Sequence, residues 1–244
     1  MADPREIFQK AVEILNRGRD LKGKKVLVTA GATEEGLDPI RVLTNPSSGR
    51  MGIALAEACK RRGGEVVLIH GRVGIPLPEV DQMIQVKTGK EMRVAILKNL
   101  LKVDLLLMTA AIADFRPVRA RNSMPLPSPQ KIKEKGMLTL ELERVPDILS
   151  EVHRRLKKKA SEKRPVIVGF SVETEDGVNR AKRKLVEKGL DLIVANEPRT
   201  FGSDEIEATL IGEDGRQEVL PGLTKREAAE KILDQVVKIV NTRQ

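Results

Sequence analysis

Five short apolar runs limit what this chain can fold into. They are KVLVTA (25–30), EVVLIHG (65–71), DLLLMTAAIADF (104–115), PVIVGFSVE (165–173) and DLIVANE (191–197). Each is nearly continuous in Val, Ile and Leu instead of alternating with polar residues. Strands buried on both faces read this way, and antiparallel strands with one wet face do not. Amphipathic helical patterns fall between the runs: about 48–62, stopped by Gly63 and Gly64, then 89–101, the segment VPDILSEVHRRLKKK, and about 176–188, ended by Gly189. The rhythm predicts an α/β chain with a Rossmann-like, doubly wound, mostly parallel sheet and helices on both faces. The segment EATLIGEDGRQEVL predicts a C-terminal β-hairpin turning at Asp214 and Gly215, and a last helix is expected over 224–241, opened by Thr224.

Two stretches stand outside this rhythm. Residues 1–21 read as an N-terminal amphipathic helix (4–17, with Ile7, Ala11, Ile14 and Leu15 on one stripe and Asp3 as cap) and a polar linker; residues 22–244 form the main domain. Residues 116–136 carry four Pro and no periodicity, and are expected to form a Pro-rich flap.

Composition narrows the function. There is no Trp, no Tyr and only four Phe, so the core is aliphatic. The net charge of +9 raises the question of nucleic acid. Aromatic side chains interleaved with the cations, which stack on bases, are absent, so nucleic acid is not expected as a partner. No apolar run approaches the roughly 20 residues that cross a bilayer, so no membrane span is expected. Cys59 is the single Cys, which rules out an internal disulfide framework and suits a reducing, cytoplasmic setting. His70 and His153, with Cys59, have no metal-ligand spacing, and the metal ligands are not legible.

In an open parallel sheet, ligands bind at the carboxyl ends of the strands. Four such ends carry suggestive residues and should converge: TAGATEEG (29–36), TAAIADFRP (109–117), GFSVET (169–174) and ANE (195–197). The first is followed by RVLTNPSSGRMG (41–52) at the mouth of a helix. About seventeen residues separate the first strand from that helix, and Thr33 stands where a dinucleotide fingerprint needs its middle Gly. Ser47 and Ser48 offer hydroxyls, and Gly49 and Gly52 allow close approach to a helix N-terminus, which is an anion site. The same residues also serve as an ordinary Ser N-cap with Gly for packing. Asn45 cannot titrate, but its amide can orient a carbonyl or stabilise developing charge. Asp114 follows small residues past a buried strand and can cap a turn or meet a ligand. Lys131 and Lys133 alternate around Ile132, so an extended segment points both to one side. Lys184 and Lys188 share a helix face.

The motifs VLVTAGATEEGLDPIRVLTNPSSGRMG, AAIADFRP, KIK, PDIL, VGFSVET and DLIVANE occur in this order. Together they closely resemble phosphopantothenoylcysteine synthetase, the synthetase half of the bifunctional coenzyme A biosynthesis protein, over roughly residues 22–240. The resemblance implies an acid–amine ligase. The carboxylate of 4′-phosphopantothenate attacks the α-phosphate of CTP (ATP in eukaryotic relatives), with Mg²⁺ accompanying the triphosphate. Pyrophosphate leaves, and the amine of L-cysteine displaces CMP from the acyl-nucleotide. The resemblance implies that Lys131 and Asn45 are catalytic, Lys131 in forming the acyl-nucleotide and Asn45 in the second half-reaction. It implies nucleotide contacts at Gly31, Ser47, Ser48, Gly49, Gly52, Met108, Thr109, Ala110, Asp114, Pro146, Asp147, Ile148, Leu149, Phe170, Lys184 and Lys188. Arg41, Asn45, Ala110 and Ala111 would meet phosphopantothenate. A homodimer and a fused or separate decarboxylase partner are implied too.

Three departures stand out. Glu34, Glu35 and Gly36 replace the common Arg-Glu-Pro and place two acids beside the expected triphosphate. Phe115 stands where many members carry Tyr or Trp, and ANEP replaces AND with a hydrophobic. Two other readings remain: an NAD(P)-dependent oxidoreductase on the same sheet, which the absence of Tyr disfavours, and a nucleotide-binding module without catalysis, which Asn45 and Lys131 disfavour.

Overall fold

A computed structural model describes residues 18–120, 124–133, 136–158, 164–172, 176–197 and 203–243. The helix expected over 4–17 lies outside the described residues, as do parts of the flap.

The centre is an eight-stranded sheet. Six strands run parallel: β1 (Lys25–Ala30), β4 (Glu65–His70), β5 (Gln82–Gln85), β6 (Leu105–Met108), β10 (Val166–Val172) and β11 (Leu192–Asn196). Two further strands, β12 (Glu205–Gly212) and β13 (Gln217–Thr224), add antiparallel at one edge as a hairpin. The order is β13-β12-β11-β10-β6-β1-β4-β5. Counting only the parallel strands in chain order, this is the 3-2-1-4-5-6 arrangement of the doubly wound fold. The order reverses between β1 and β6, and a crevice opens at the carboxyl ends of those strands.

Period-two alternation within β1 sends its residues into two cores. Val26, Val28 and Ala30 join α1 (Arg50–Arg61) and α5 (Lys225–Thr242) on one face. Leu27 joins α2 (Gly89–Asn99), α3 (Ile148–Lys158) and α4 (Gly177–Lys188) on the other. Thr224 accepts from Glu227 N, and Glu227 returns the bond, so α5 starts with a full capping box. Cys59 is wholly buried in the first core, and burial pushes its thiol pKa up, leaving an inert packing residue.

Three expectations change. The helix expected from Ser48 starts at Arg50, and its N-cap is Gly49 in the left-handed region (φ 78°) with no side-chain cap. The connection between β1 and α1 holds an antiparallel hairpin, β2 (Glu34–Gly36) with β3 (Val42–Thr44), that periodicity did not signal because each strand has three residues. The start of the Pro-rich stretch, where no periodicity was read, holds strands: β7 (Phe115–Ala120) pairs with β8 (Met124–Pro125) and with β9 (Leu140–Arg144). Pro117 fits because it sits beside a register shift in this small sheet, where a missing N–H is tolerated.

Candidate functional site

The loops after β1 and β6 are stitched together across the switch point. Ala111 N donates to Gly31 O (2.8 Å) and Thr33 N to Ala111 O (3.2 Å). Ala110 N donates to Thr29 Oγ1 (3.1 Å) and Ala113 N to Thr33 Oγ1 (3.0 Å). Thr109 Oγ1 donates to Thr29 O. These bonds fix a rigid floor of small residues.

Above that floor lie two adjoining cavities. The first, about 340 Å³, is lined by Asn45, Ser47, Ser48, Gly49, Gly52, Thr109, Ala110, Ala111, Asp114, Phe170 and Lys184. The second, about 450 Å³, is lined by Met108, Ala110, Asp114, Pro146, Asp147, Ile148, Leu149, Phe170, Lys184 and Lys188. Ala110, Asp114, Phe170 and Lys184 belong to both, so they form one cleft. The sequence-predicted nucleotide residues therefore come together, with one exception. Gly31 (φ 76°) lies outside the cavity walls; a Cβ there would stand 2.2 Å from Arg72 O, so Gly is demanded by backbone packing.

The mouth of α1 keeps its donors. Ser47 Oγ accepts from Gly49 N (3.3 Å), ahead of the helix, and Ser48 O accepts from Gly74 N (3.1 Å). No side chain caps the first turn and no acid lies in it. An α-helix leaves its first N–H groups without intrahelical partners, so here they face the cavity's polar rim. Gly52 is required by contact: a Cβ would lie 2.4 Å from Thr109 Oγ1 and 2.8 Å from Thr29 O. Asn45 Nδ2 donates to Ile112 O (3.2 Å), which fixes the amide while leaving its second hydrogen and its oxygen for a ligand.

The cations differ in how they are held. Lys188 Nζ donates to Asp147 and to Ser150 Oγ (2.8 Å). Burial pushes the Asp147 carboxyl up, but the Lys188 bond and the Ser150 N–H outweigh it and hold it below its ordinary range. Lys131 and Arg41 lie outside both cavity walls. Lys131 and Lys133 are exposed on either side of buried Ile132, as the alternation requires. The backbone of Ile132 is clamped: its N–H donates to Asp38 Oδ2 (3.0 Å) and its carbonyl accepts from Arg41 Nη2 (2.5 Å). Arg41 Nε and Nη2 bind Asp38 Oδ2 at 2.8 and 2.5 Å, and that bond holds the Asp38 carboxyl well below the usual carboxylate range. The β2–β3 hairpin thus carries the clasp that places the flap lysines.

The two unexpected acids face away from the cleft. Glu35 is buried and its Oε1 accepts from Gly89 N (2.8 Å) at the start of α2. Glu34 lies 3.7 Å from Arg72. Phe115 lines the second cavity, with the Arg144 guanidinium 5.8 Å from its ring centre. Sequence reasoning missed Arg50, Ser171, Asn196, Glu197 and Lys225, which also line the first cavity. Ser171 and Asn196 lie in motifs already singled out; Lys225 had no local signal.

Among the described residues, no group of three or more His, Cys, Asp or Glu is placed to hold a metal ion, and no helix is long and apolar enough to cross a membrane.

Comparison with known proteins places these features in a family. Residues 21–240 match the DNA/pantothenate metabolism flavoprotein C-terminal domain. The chain is 39% identical over 98% of its length to the coenzyme A biosynthesis bifunctional protein CoaBC of Thermococcus kodakarensis, covering 57% of that protein. It is 38% identical over 90% of its length to the CoaBC protein of Bacillus subtilis, covering 52% of it. The chain thus spans about half the length of the curated relatives it matches. A crystal structure of the C-terminal domain of a CoaBC protein superposes with a TM-score of 0.75 at 32% identity, covering 92% of this chain and 99% of that one.

Proposed function

From the premise that this chain belongs to the DNA/pantothenate metabolism flavoprotein C-terminal domain family, we propose that it is a CTP-dependent phosphopantothenate–cysteine ligase of coenzyme A biosynthesis. The observation that carries the reading is the cleft at the β1/β6 reversal. There an uncapped helix mouth with Ser47, Ser48 and Gly49 shares its walls with Asn45 and Lys184.

In this reading a carboxylate oxygen of 4′-phosphopantothenate attacks the α-phosphorus of CTP. The bond to the bridging oxygen breaks, and pyrophosphate departs with the electron pair. The N–H groups of α1 and the hydroxyls of Ser47 and Ser48 hold phosphate oxygens. The flap lysine Lys131 closes on the α-phosphate and offsets charge as two anions meet. The amine of L-cysteine then attacks the acyl carbon; the carbon–oxygen bond to CMP breaks, and the amine gives up a proton. Asn45, anchored on Ile112 O, holds the acyl-nucleotide during this step. Residues 146–149 and Phe170 enclose the nucleoside, and Lys184 and Lys188 flank it.

Mg²⁺ fits this arrangement as an ion that arrives on the triphosphate, since it keeps most of its shell for water and phosphate and needs one or two carboxylates. Asp114 and Glu197 are the carboxylates of the first cavity. When bound, the ion would neutralise phosphate charge. The homodimer is proposed too: the small β7–β9 sheet presents Phe115 and Leu142 to solvent, and a dimeric mass by light scattering is expected.

The test is pyrophosphate release with 4′-phosphopantothenate, L-cysteine and Mg²⁺, run in parallel with CTP, ATP, GTP and UTP. Release with CTP alone is expected. Comparable release with ATP overturns the nucleotide assignment. No release with any triphosphate, together with a thermal shift by NADPH, would move the reading to the oxidoreductase that the strand order also accommodates.

A further inference from the structure

The wall of the first cavity at the carboxyl ends of β10 and β11 has unfinished hydrogen bonding. Ser171, near the end of β10, is only 5% exposed, and its Oγ has no partner among the described residues. Asn196, at the end of the neighbouring β11, has its Oδ1 buried and equally without a partner. Leaving a buried polar atom unpaired is costly, and such atoms call for an explanation. Both residues line the cavity. A half-turn of the Asn196 amide exchanges its oxygen for its NH₂, so this position can donate.

A cation stands beside them. Lys225 is the first residue of α5 and lines the same cavity. Its own N–H donates to Asp204 O (3.0 Å). Asp204, ahead of β12, also pairs with Arg50 Nε (3.2 Å), the first residue of α1. Two helix N-termini therefore open on one cavity, each led by a cation, with Asp204 balancing both. Burial disfavours the charged form of Lys225 and lowers its pKa, against the raising influence of Asp204. An arriving anion would restore what burial removes.

We propose that Lys225, Ser171 and Asn196 form a phosphate subsite that receives the β- and γ-phosphates of the nucleotide and holds them as they leave as pyrophosphate. This rests on the ligase reading for its ligand. Phe170 and residues 146–149 enclose the far end of the cleft and suit the nucleoside, so a triphosphate chain running past the α1 mouth ends at Lys225. The 4′-phosphate of phosphopantothenate shares the same chemistry and is separated by the test.

The test is isothermal titration of the full chain with Mg²⁺-pyrophosphate and, separately, with 4′-phosphopantothenate, using wild type, Lys225→Gln and Lys225→Arg. Thr224 supplies the α5 cap, so both variants keep the helix start, and circular dichroism checks it. The expected result is that Lys225→Gln weakens pyrophosphate binding by about tenfold or more, that Lys225→Arg restores most of it, and that phosphopantothenate affinity stays the same. Wild type that does not bind pyrophosphate, or Lys225→Gln that binds it as tightly as wild type, overturns the subsite. Loss confined to phosphopantothenate overturns its assignment to the leaving group. The ligase reading is judged separately, by pyrophosphate release from wild type, so the two can fail independently.

Discussion

Strands β10 and β11 treat their two ends in opposite ways. At the amino ends, Asp191 is 1% exposed, and its carboxylate accepts from Ile167 N (2.7 Å), Arg164 Nη2 (2.6 Å) and Arg243 Nη2. At the carboxyl ends, Ser171 Oγ and Asn196 Oδ1 have no partner among the described residues. A cavity of about 610 Å³ lies at the Asp191 end and exceeds either part of the cleft, so size alone does not mark the functional end. Polar groups satisfied internally give stability; the two left over here line the cleft, where a ligand can pair with them.

Five substitutions sharpen or break this contrast. The largest effect belongs to Lys131→Gln. It should lower CTP-dependent pyrophosphate release by about 10²–10³-fold while the denaturation midpoint holds. Accumulation of acyl-CMP in this variant would contradict its role. Asn45→Asp should differ in kind by accumulating acyl-CMP and failing to pass it to cysteine. Next is Asp191→Ala, which strands the Ile167 N–H and leaves Arg164 and Arg243 with Glu213 as their remaining carboxylate. Denaturant unfolding should show a loss of roughly 2–3 kcal/mol, with activity per folded molecule unchanged.

Asp38→Asn should follow, lowering kcat about tenfold with KM for CTP little changed, because the flap loses its clasp without losing the cleft. The folded carboxyl is held below its ordinary value of about 3.9 by Arg41. Its contribution is therefore present above that value and is lost only as pH falls toward the lowered one. The activity profile from pH 5 to 9 should carry no inflection from Asp38; one that disappears in Asp38→Asn would break the assignment. The smallest effect is expected of Ser171→Ala. Its stability should stay within about 0.5 kcal/mol of wild type or rise, since an unsatisfied hydroxyl is removed, while pyrophosphate affinity falls about threefold. A stability loss matching that of Asp191→Ala would erase the distinction between the two ends.

The sheet was legible because continuous Val, Ile and Leu runs have one stable solution, and β4, β10 and β11 lie where those runs fall. The hairpins were not equally readable. Asp214 and Gly215 announce the β12–β13 turn, but β2 and β3 are too short for any period to emerge. The strands β7 and β8 were hidden for a related reason: Pro117 and Pro125 conceal strands that sit in a small separate sheet, where ladder donors are dispensable. Within the site, residues near a strand end, such as Asn45, Ser47 and Phe170, could be read from local motifs. Lys225 could not. It reaches the cleft only because α5 packs on α1 across the same face of the sheet, a contact between residues far apart in the chain.

The β2–β3 hairpin has one more consequence. It is tied to its surroundings through a few backbone bonds, Thr33 N to Ala111 O and Glu34 N to Lys87 O among them, and through Glu35 at the head of α2. It contributes little to either core. Because the hairpin lies outside both cores, replacing it is expected to leave the register of the sheet unchanged, provided the ties at Glu35 and Asp38 are kept. Grafting it, with Asp38 and Arg41, onto another chain that reverses at the same point would transplant the handle for a closing lysine without redesigning the scaffold.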